Sequence, residues 1–198
     1  MALTRDQIVG AALGILREYG LADLSMRRLA RDLDVQPGAL YWHVKNKQEL
    51  LTVIAGRILE SVDEAASVRG LAVSIRGALL SVRDGAEVVA LAHVLESAGP
   101  PALLRVRELL AIQGVPDREA QWAADALIHY ILGTVTQEQT RAGFTRAGLL
   151  EAPADGTDDA FGYGLELFLA GLAAKADGPA GADGPAGADG PRGAVEER

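Results

Sequence analysis

Helix-start signals recur so closely in the first fifty residues that the chain there has room only for short helices joined by tight turns. Thr4 followed by Gln7 is a capping box, in which two side chains satisfy amide N–H groups that a helix start would otherwise leave unpaired. Ile8, Ala12, Ile15, Leu16 and Tyr19 then recur at helical spacing until Gly20 stops the run. Ser25 caps a second, short helix carrying Leu29, Ala30 and Leu33, and Asp34 marks a tight turn. Pro37 suits the first turn of a third helix, because its missing N–H would have been unpaired there, and the pattern predicts that helix over residues 37–43. Asn46 with Glu49 reads as a second capping box, opening a longer helix through Leu50, Leu51, Ile54, Ile58 and Leu59.

Beyond Glu60 the chain runs in Ala-rich and Leu-rich segments broken at residues 99–101, 114–116 and 153–159. No segment sustains the period-two alternation of a half-buried strand, so the fold class is all-α. The strongest later helix is predicted over residues 118–141, with Ala124, Leu127, Ile128, Ile131, Leu132 and Val135 on one broad apolar face. A last helix over residues 159–175 places Phe161, Leu165, Phe168, Leu169 and Leu172 on another. Gly133, Gly164 and Gly171 each cost about 1 kcal/mol against Ala inside a helix, which points to positions where a second helix comes close. From Ala176 the unit ADGPAG appears twice and then ADGPRG, with Gly at every third position from Gly178 to Gly193. That is the collagen period, but only five triplets are present and none carries Pro in its third place; a solvated, disordered tail is the expectation.

The chain has no cysteine, which excludes disulfides and thiolate metal sites. It shows no amino-terminal signal pattern and no apolar run of the roughly 18 residues a membrane span needs, so a cytoplasmic protein without a membrane partner is expected. The net charge of −8 argues against nucleic acid only until its distribution is considered. Residues 1–47 hold seven Lys/Arg against five Asp/Glu, so the acidity belongs to the later part.

Two short helices joined by a tight turn, with a third packed behind, form a helix-turn-helix, whose second helix lies in the major groove of DNA. The stretch LDVQPGALYWHVKNKQEL, Leu33 to Leu50, is that second helix and its exit. Lys45 and Lys47 can neutralise phosphates, while Tyr41, Trp42 and His43 offer donors beside apolar faces that can touch sugars and thymine methyls. Gly38 and Ala39 are small enough to let the helix backbone approach base edges.

The segment LYWHVKNK, Leu40 to Lys47, resembles the corresponding stretch of tetracycline repressors, and Leu24 to Leu51 resembles the DNA-binding domain of the TetR family of transcriptional repressors. RDGA at Arg83 to Ala86, HYILGTVTQEQ at His129 to Gln139 and GLELFLAGL at Gly164 to Leu172 resemble, in order, later segments of the same repressors. The resemblance implies an all-helical homodimer with a helix-turn-helix domain at residues 1–47, an effector-binding and dimerisation domain at 48–175, and the tail at 176–198 outside both. It implies a ligand-responsive regulator, a repressor, released from a palindromic operator by a small molecule. It places Arg27 and Arg28 at the groove edge, Arg27 as the base reader, and Gln36, Gly38, Ala39, Tyr41, Trp42, His43, Lys45 and Lys47 on phosphates and adjoining bases. Departures at Gln36 to Ala39 imply a different operator sequence.

For the effector, the resemblance points to Leu71, Ile75, Val89, His93, Val106, His129 and Gln137. Val89 stands where those repressors carry a metal-ligating histidine, and Gln137 where they carry a water-bridging glutamate. Losing the imidazole removes a strong ligand for a divalent ion, so no metal or other cofactor is expected and the effector is expected to be fairly apolar rather than a magnesium-tetracycline complex. His129 and His93 are read either as packing groups or as effector contacts. Two rivals remain: an activator or constitutive DNA-binding factor on the same fold, and an enzyme on a helical scaffold. The second has thin support, since His43, His93 and His129 lie far apart and no catalytic motif is present.

Overall fold

The computed structural model describes residues 3–62, 65–95, 100–151 and 156–176. Among these the regular structure is helical throughout, with no strand. Helix α1 (Arg5–Tyr19) starts on the complete capping box: Gln7 N donates to Thr4 Oγ1 at 3.2 Å, and Thr4 N donates to Gln7 Oε1 at 2.9 Å. It buries Ile8, Val9, Ala12, Leu13, Ile15 and Leu16 on one face, and Gly20 follows at φ 89°, a conformation that favours glycine. A short 3-10 turn, Leu21–Asp23, leads to α2 (Met26–Asp32), capped by Ser25 Oγ accepting from Arg28 N.

The turn after α2 is a Schellman motif: Val35 N donates to Ala30 O and Asp34 N to Arg31 O, with Asp34 at φ 52° in the place glycine usually takes. Helix α3 (Pro37–Tyr41) ends two residues before the predicted His43. The chain leaves the helix there so that Val44 can join Leu40 in the core, both fully buried. Helix α4 (Lys47–Leu59) is capped by Asn46 Oδ1 accepting from Glu49 N at 2.8 Å. The return arm of the expected box is displaced by one residue: Glu49 accepts from Lys45 N, not from Asn46 N, and its other oxygen takes Arg5 Nη2.

Five further helices follow: α5 (Val68–Leu80), α6 (Gly85–Leu95), α7 (Pro101–Ile112), α8 (Asp117–Arg146) and α9 (Thr157–Ala176). Helix α8 runs five residues past its predicted end and stops in another Schellman turn, where Leu149 N donates to Phe144 O and Gly148 takes φ 71°. Helix α9 begins inside the segment read as loop, because Asp158 and Asp159 suit the positive end of a helix dipole. Residues 153–155 of that break, like residues 96–99 and the tail from Asp177 onward, lie outside the described residues.

One apolar core joins these elements. Helix α4 lies along α6 and touches α1 and α5, while α5, α6 and α7 pack on α8. The predicted stripe of α8, Ala124 to Val135, is buried within this single chain. Each large aliphatic side chain so buried contributes about 1.5–3 kcal/mol of transfer free energy. Helix α9 rests on α8 through Phe161 and Leu165, whereas Phe168, Leu169 and Leu172 are only half-buried and Tyr163 and Leu167 are exposed. Of the glycines expected at close approaches, Gly164 is met by the Tyr130 ring and hydroxyl, whereas a side chain at Gly133 or Gly171 would meet nothing within 4 Å among the described residues.

Candidate nucleic-acid interface

The surface formed by α3 and its exit is exposed and chemically unoccupied. Trp42 is 89% and Tyr41 50% exposed, although each would contribute to folding if turned inward. The side chains of Gln36, Tyr41, Trp42, His43, Lys45 and Lys47 make no hydrogen bond, ion pair or ring contact among the described residues. Only the inward positions of this segment, Leu40 and Val44, serve the core. A Cβ built on Gly38 has nothing within 4 Å, so internal packing does not require glycine there. Ala39 sits beside it on the same helix. The result is a short helix standing on its apolar side with cations, ring faces and a bare backbone turned outward.

The two arginines of α2 have different fates. Arg27 is exposed and free of partners among the described residues. Arg28 is three-quarters or more covered: Nη1 binds Asp23 Oδ1 at 2.7 Å, Nε lies 3.9 Å from Asp32, and the guanidinium sits 3.7 Å from the Tyr19 ring centroid. Arg28 therefore fixes the approach of α2 to the end of α1, which leaves Arg27 as the exposed, unpaired one of the two among the described residues. The Glu18 carboxylate beside Tyr19 raises its phenol pKa, with Arg28 acting in the opposite direction.

The seven effector positions lie in different environments. Leu71, Ile75, Val89 and Val106 are core residues at most 1% exposed. His93 is partly buried, its Nδ1 without a hydrogen-bond partner among the described residues. His129 is exposed on α8. Gln137 lines a cavity of about 1170 Å³ between the second half of α8 and the start of α9, a place the spacing of residues did not suggest.

Two polar clusters flank that cavity. Arg76 on α5 grips Glu138 with two contacts at 2.8 and 3.0 Å and Asp158 at 2.8 Å, and stacks 4.9 Å from the Phe161 ring. Tyr130 stacks on Phe161 and donates its hydroxyl to Phe161 O at 2.7 Å; burial raises its pKa, which keeps that proton in place. Next to this, Gln139 ties α8 to the α5–α6 turn, donating to Leu79 O and Val82 O and accepting from Ala86 N. The same turn holds the end of α1: Leu21 N donates to Asp84 Oδ2 at 2.7 Å and Arg83 Nη1 to Glu18 O at 2.9 Å. One signal for the first cluster was present in the sequence, since Arg76 is the lone charge within LAVSIRGALL.

Residues 8–54 match the family described as bacterial regulatory proteins, tetR family, and residues 61–154 match the tetracyclin repressor-like C-terminal domain. The chain is similar to the tetracycline repressor protein class G of Vibrio anguillarum, 33% identical, with 86% of this chain and 93% of that one covered. Among solved structures it is similar to Mycobacterium smegmatis BioQ, at a TM-score of 0.78 and 38% identity over 87% of this chain and 98% of that one. It is also similar to BioQ in complex with its natural double-stranded DNA operator, at a TM-score of 0.74 and 36% identity over 87% and 99%.

Proposed function

The chain belongs to the TetR family of bacterial regulators, and from that premise we propose that it is a ligand-responsive repressor that binds a palindromic operator as a homodimer and acts by binding alone, without catalysis. The observation that carries the reading is the α3 surface: exposed aromatics, unpaired cations and an unobstructed Gly38, on a helix whose other side is anchored by Leu40 and Val44. A related structure holds operator DNA, and this chain shares its fold over most of its length.

On this reading Arg27 contacts base edges and Gln36, Gly38, Ala39, Tyr41, Trp42 and His43 face the groove, while Lys45 and Lys47 bind phosphates. Arg28 positions the reading helices. The division of labour falls at residues 1–47 for DNA and 48–175 for effector and dimer, in the cytoplasm, where the operator lies. No helix among the described residues is long and apolar enough to cross a membrane.

Dimerisation has support in the faces left uncovered. Along α8, Ala126, His129, Gly133, Thr136 and Thr140 form an exposed stripe of mostly small residues, and along α9 Tyr163, Leu167, Ala170 and Gly171 form another. Gly133 and Gly171, which no described residue of this chain approaches within 4 Å, allow helices of a second copy to come close. A two-fold dimer binds two half-sites about 34 Å apart or a multiple of that, and neither half-site alone binds tightly. An effector that prefers the form with misaligned reading heads lowers operator affinity by its differential affinity for the two forms.

The test is an anisotropy titration of labelled operator at several salt concentrations with the intact chain and Tyr41→Ala. The reading expects two chains per duplex, affinity falling steeply with salt, and weaker binding by a variant that still folds. Binding that is equal in the two proteins and indifferent to salt contradicts it.

A further inference from the structure

Helix α9 is seated at one end. Among its described residues only Phe161 and Leu165 are buried, both in its first half, while Phe168, Leu169 and Leu172 are half-buried and Tyr163, Leu167, Ala170 and Gly171 are exposed. Two other helices grip Phe161. Tyr130 of α8 stacks on its ring, 5.4 Å between centroids, and donates to its carbonyl at 2.7 Å; it fits there because Gly164 has no side chain to meet the Tyr130 hydroxyl. Arg76 of α5 lies over the same ring, 4.9 Å from its centroid. That guanidinium joins all three helices: Nη2 meets both carboxylate oxygens of Glu138 on α8, at 2.8 and 3.0 Å, and Asp158 on α9 at 2.8 Å. A second arginine of α5, Arg69, pairs with Glu166 further along α9.

Burial decides which of these contacts sets the helix. Arg69 and Glu166 are each about half exposed and Asp158 is 87% exposed, so those pairs are worth little in water. Arg76 and Glu138 are 12% and 20% exposed, and there the attraction is offset by the lost hydration of both charges. The guanidinium also keeps Nε buried without a hydrogen-bond partner among the described residues, a further cost. An aliphatic side chain of similar volume would serve stability as well. What it would lack is direction, because a planar fork with fixed donor angles holds a carboxylate of α8 and a ring of α9 in one relation. We propose that Arg76 is a positioning residue of the dimer, setting the direction of α9 against α8 so that the uncovered faces of both helices meet a second copy together. That role rests on the reading of those faces as the dimer surface. The lever is long: Gly171 lies about 15 Å along the helix from Phe161, so a tilt of about 5° at the joint moves it by about 1 Å, a displacement that close-packed helices do not absorb.

The chain has no cysteine, so a single Ala173→Cys, exposed on α9 about a quarter-turn off the Tyr163 to Gly171 stripe, carries one spin label per copy. Distances between the labels of two copies are measured on the full chain by double electron–electron resonance, with dimer affinity from sedimentation equilibrium and helix content from circular dichroism. Arg76→Met combined with Glu138→Gln removes both charges together and leaves neither buried alone. The expected result is unchanged helix content, a narrow distance between copies that broadens by several ångström, and dimerisation weakened by up to about tenfold. Arg76→Lys keeps the charge beside Glu138 but not the fork; it should broaden the distance too, and it carries the test if the double variant does not fold. A folded variant whose distance matches that of the labelled parent overturns the role, and weaker dimerisation with an unmoved distance does so as well, marking Arg76 as a structural support only. A parent chain that sediments as a monomer defeats the dimer reading itself, whereas a parent dimer whose distance is the same in every variant defeats the role of Arg76 alone.

Discussion

Gly38→Ala separates what the fold needs from what DNA needs. Gly38 is the second residue of α3, its backbone is ordinary helix, and an added methyl has no heavy atom within 4 Å to meet. Within the protein the change removes a flexible residue from a helix and should stabilise by about 0.5–1 kcal/mol, or roughly 1–4 °C in Tm for a chain of this size. Against a duplex the methyl stands where the backbone is proposed to approach base edges. Forcing a methyl into a packed contact costs about 1–3 kcal/mol, equivalent to roughly 5- to 150-fold in affinity. Differential scanning fluorimetry and operator anisotropy on the same preparation measure the two effects. Higher Tm with weaker binding is the expected combination. Higher Tm with unchanged affinity refutes the close approach of α3, and lower Tm refutes the claim that the protein leaves this glycine free.

The two arginines of α2 should part company: Arg27→Ala loses about 1–3 kcal/mol of operator discrimination at unchanged Tm, as read from mismatch titrations, whereas Arg28→Ala lowers Tm by removing the link between Asp23 and Tyr19. Asp34→Gly relieves a non-glycine residue at φ 52° and should raise unfolding free energy by about 0.5–1 kcal/mol in urea, with Asp34→Val moving it the other way. Titration with magnesium-tetracycline should leave the operator complex intact, because Val89 offers no ligand to the ion and is buried; release of DNA would show that another group supplies the missing ligand.

What could be read from the residues followed their range of action. Caps act over three or four positions, so Thr4, Ser25 and Asn46 marked their helices correctly, and the apolar stripe of α8 is buried residue for residue. The errors have tertiary causes. Helix α3 stops early because Val44 is needed inside, and Glu49 turns to Lys45 and Arg5 instead of closing its own box. Arg27 and Arg28 look alike in sequence, and only the position of Tyr19 and Asp23 distinguishes a free cation from a structural one. The cavity was the least legible feature, since Arg17, Arg83 and Arg141 are brought together by three separate elements. The link from Gln139 through the α5–α6 turn to Leu21 likewise spans residues more than a hundred positions apart.

Selection of bound DNA from a random duplex library tests the central claim most directly. The account predicts enrichment of one two-fold symmetric sequence with half-sites centred about 34 Å apart or a multiple of that, bound by two chains and lost progressively as salt rises. A library that emerges without a common sequence, or a single asymmetric site bound by one chain, would contradict it.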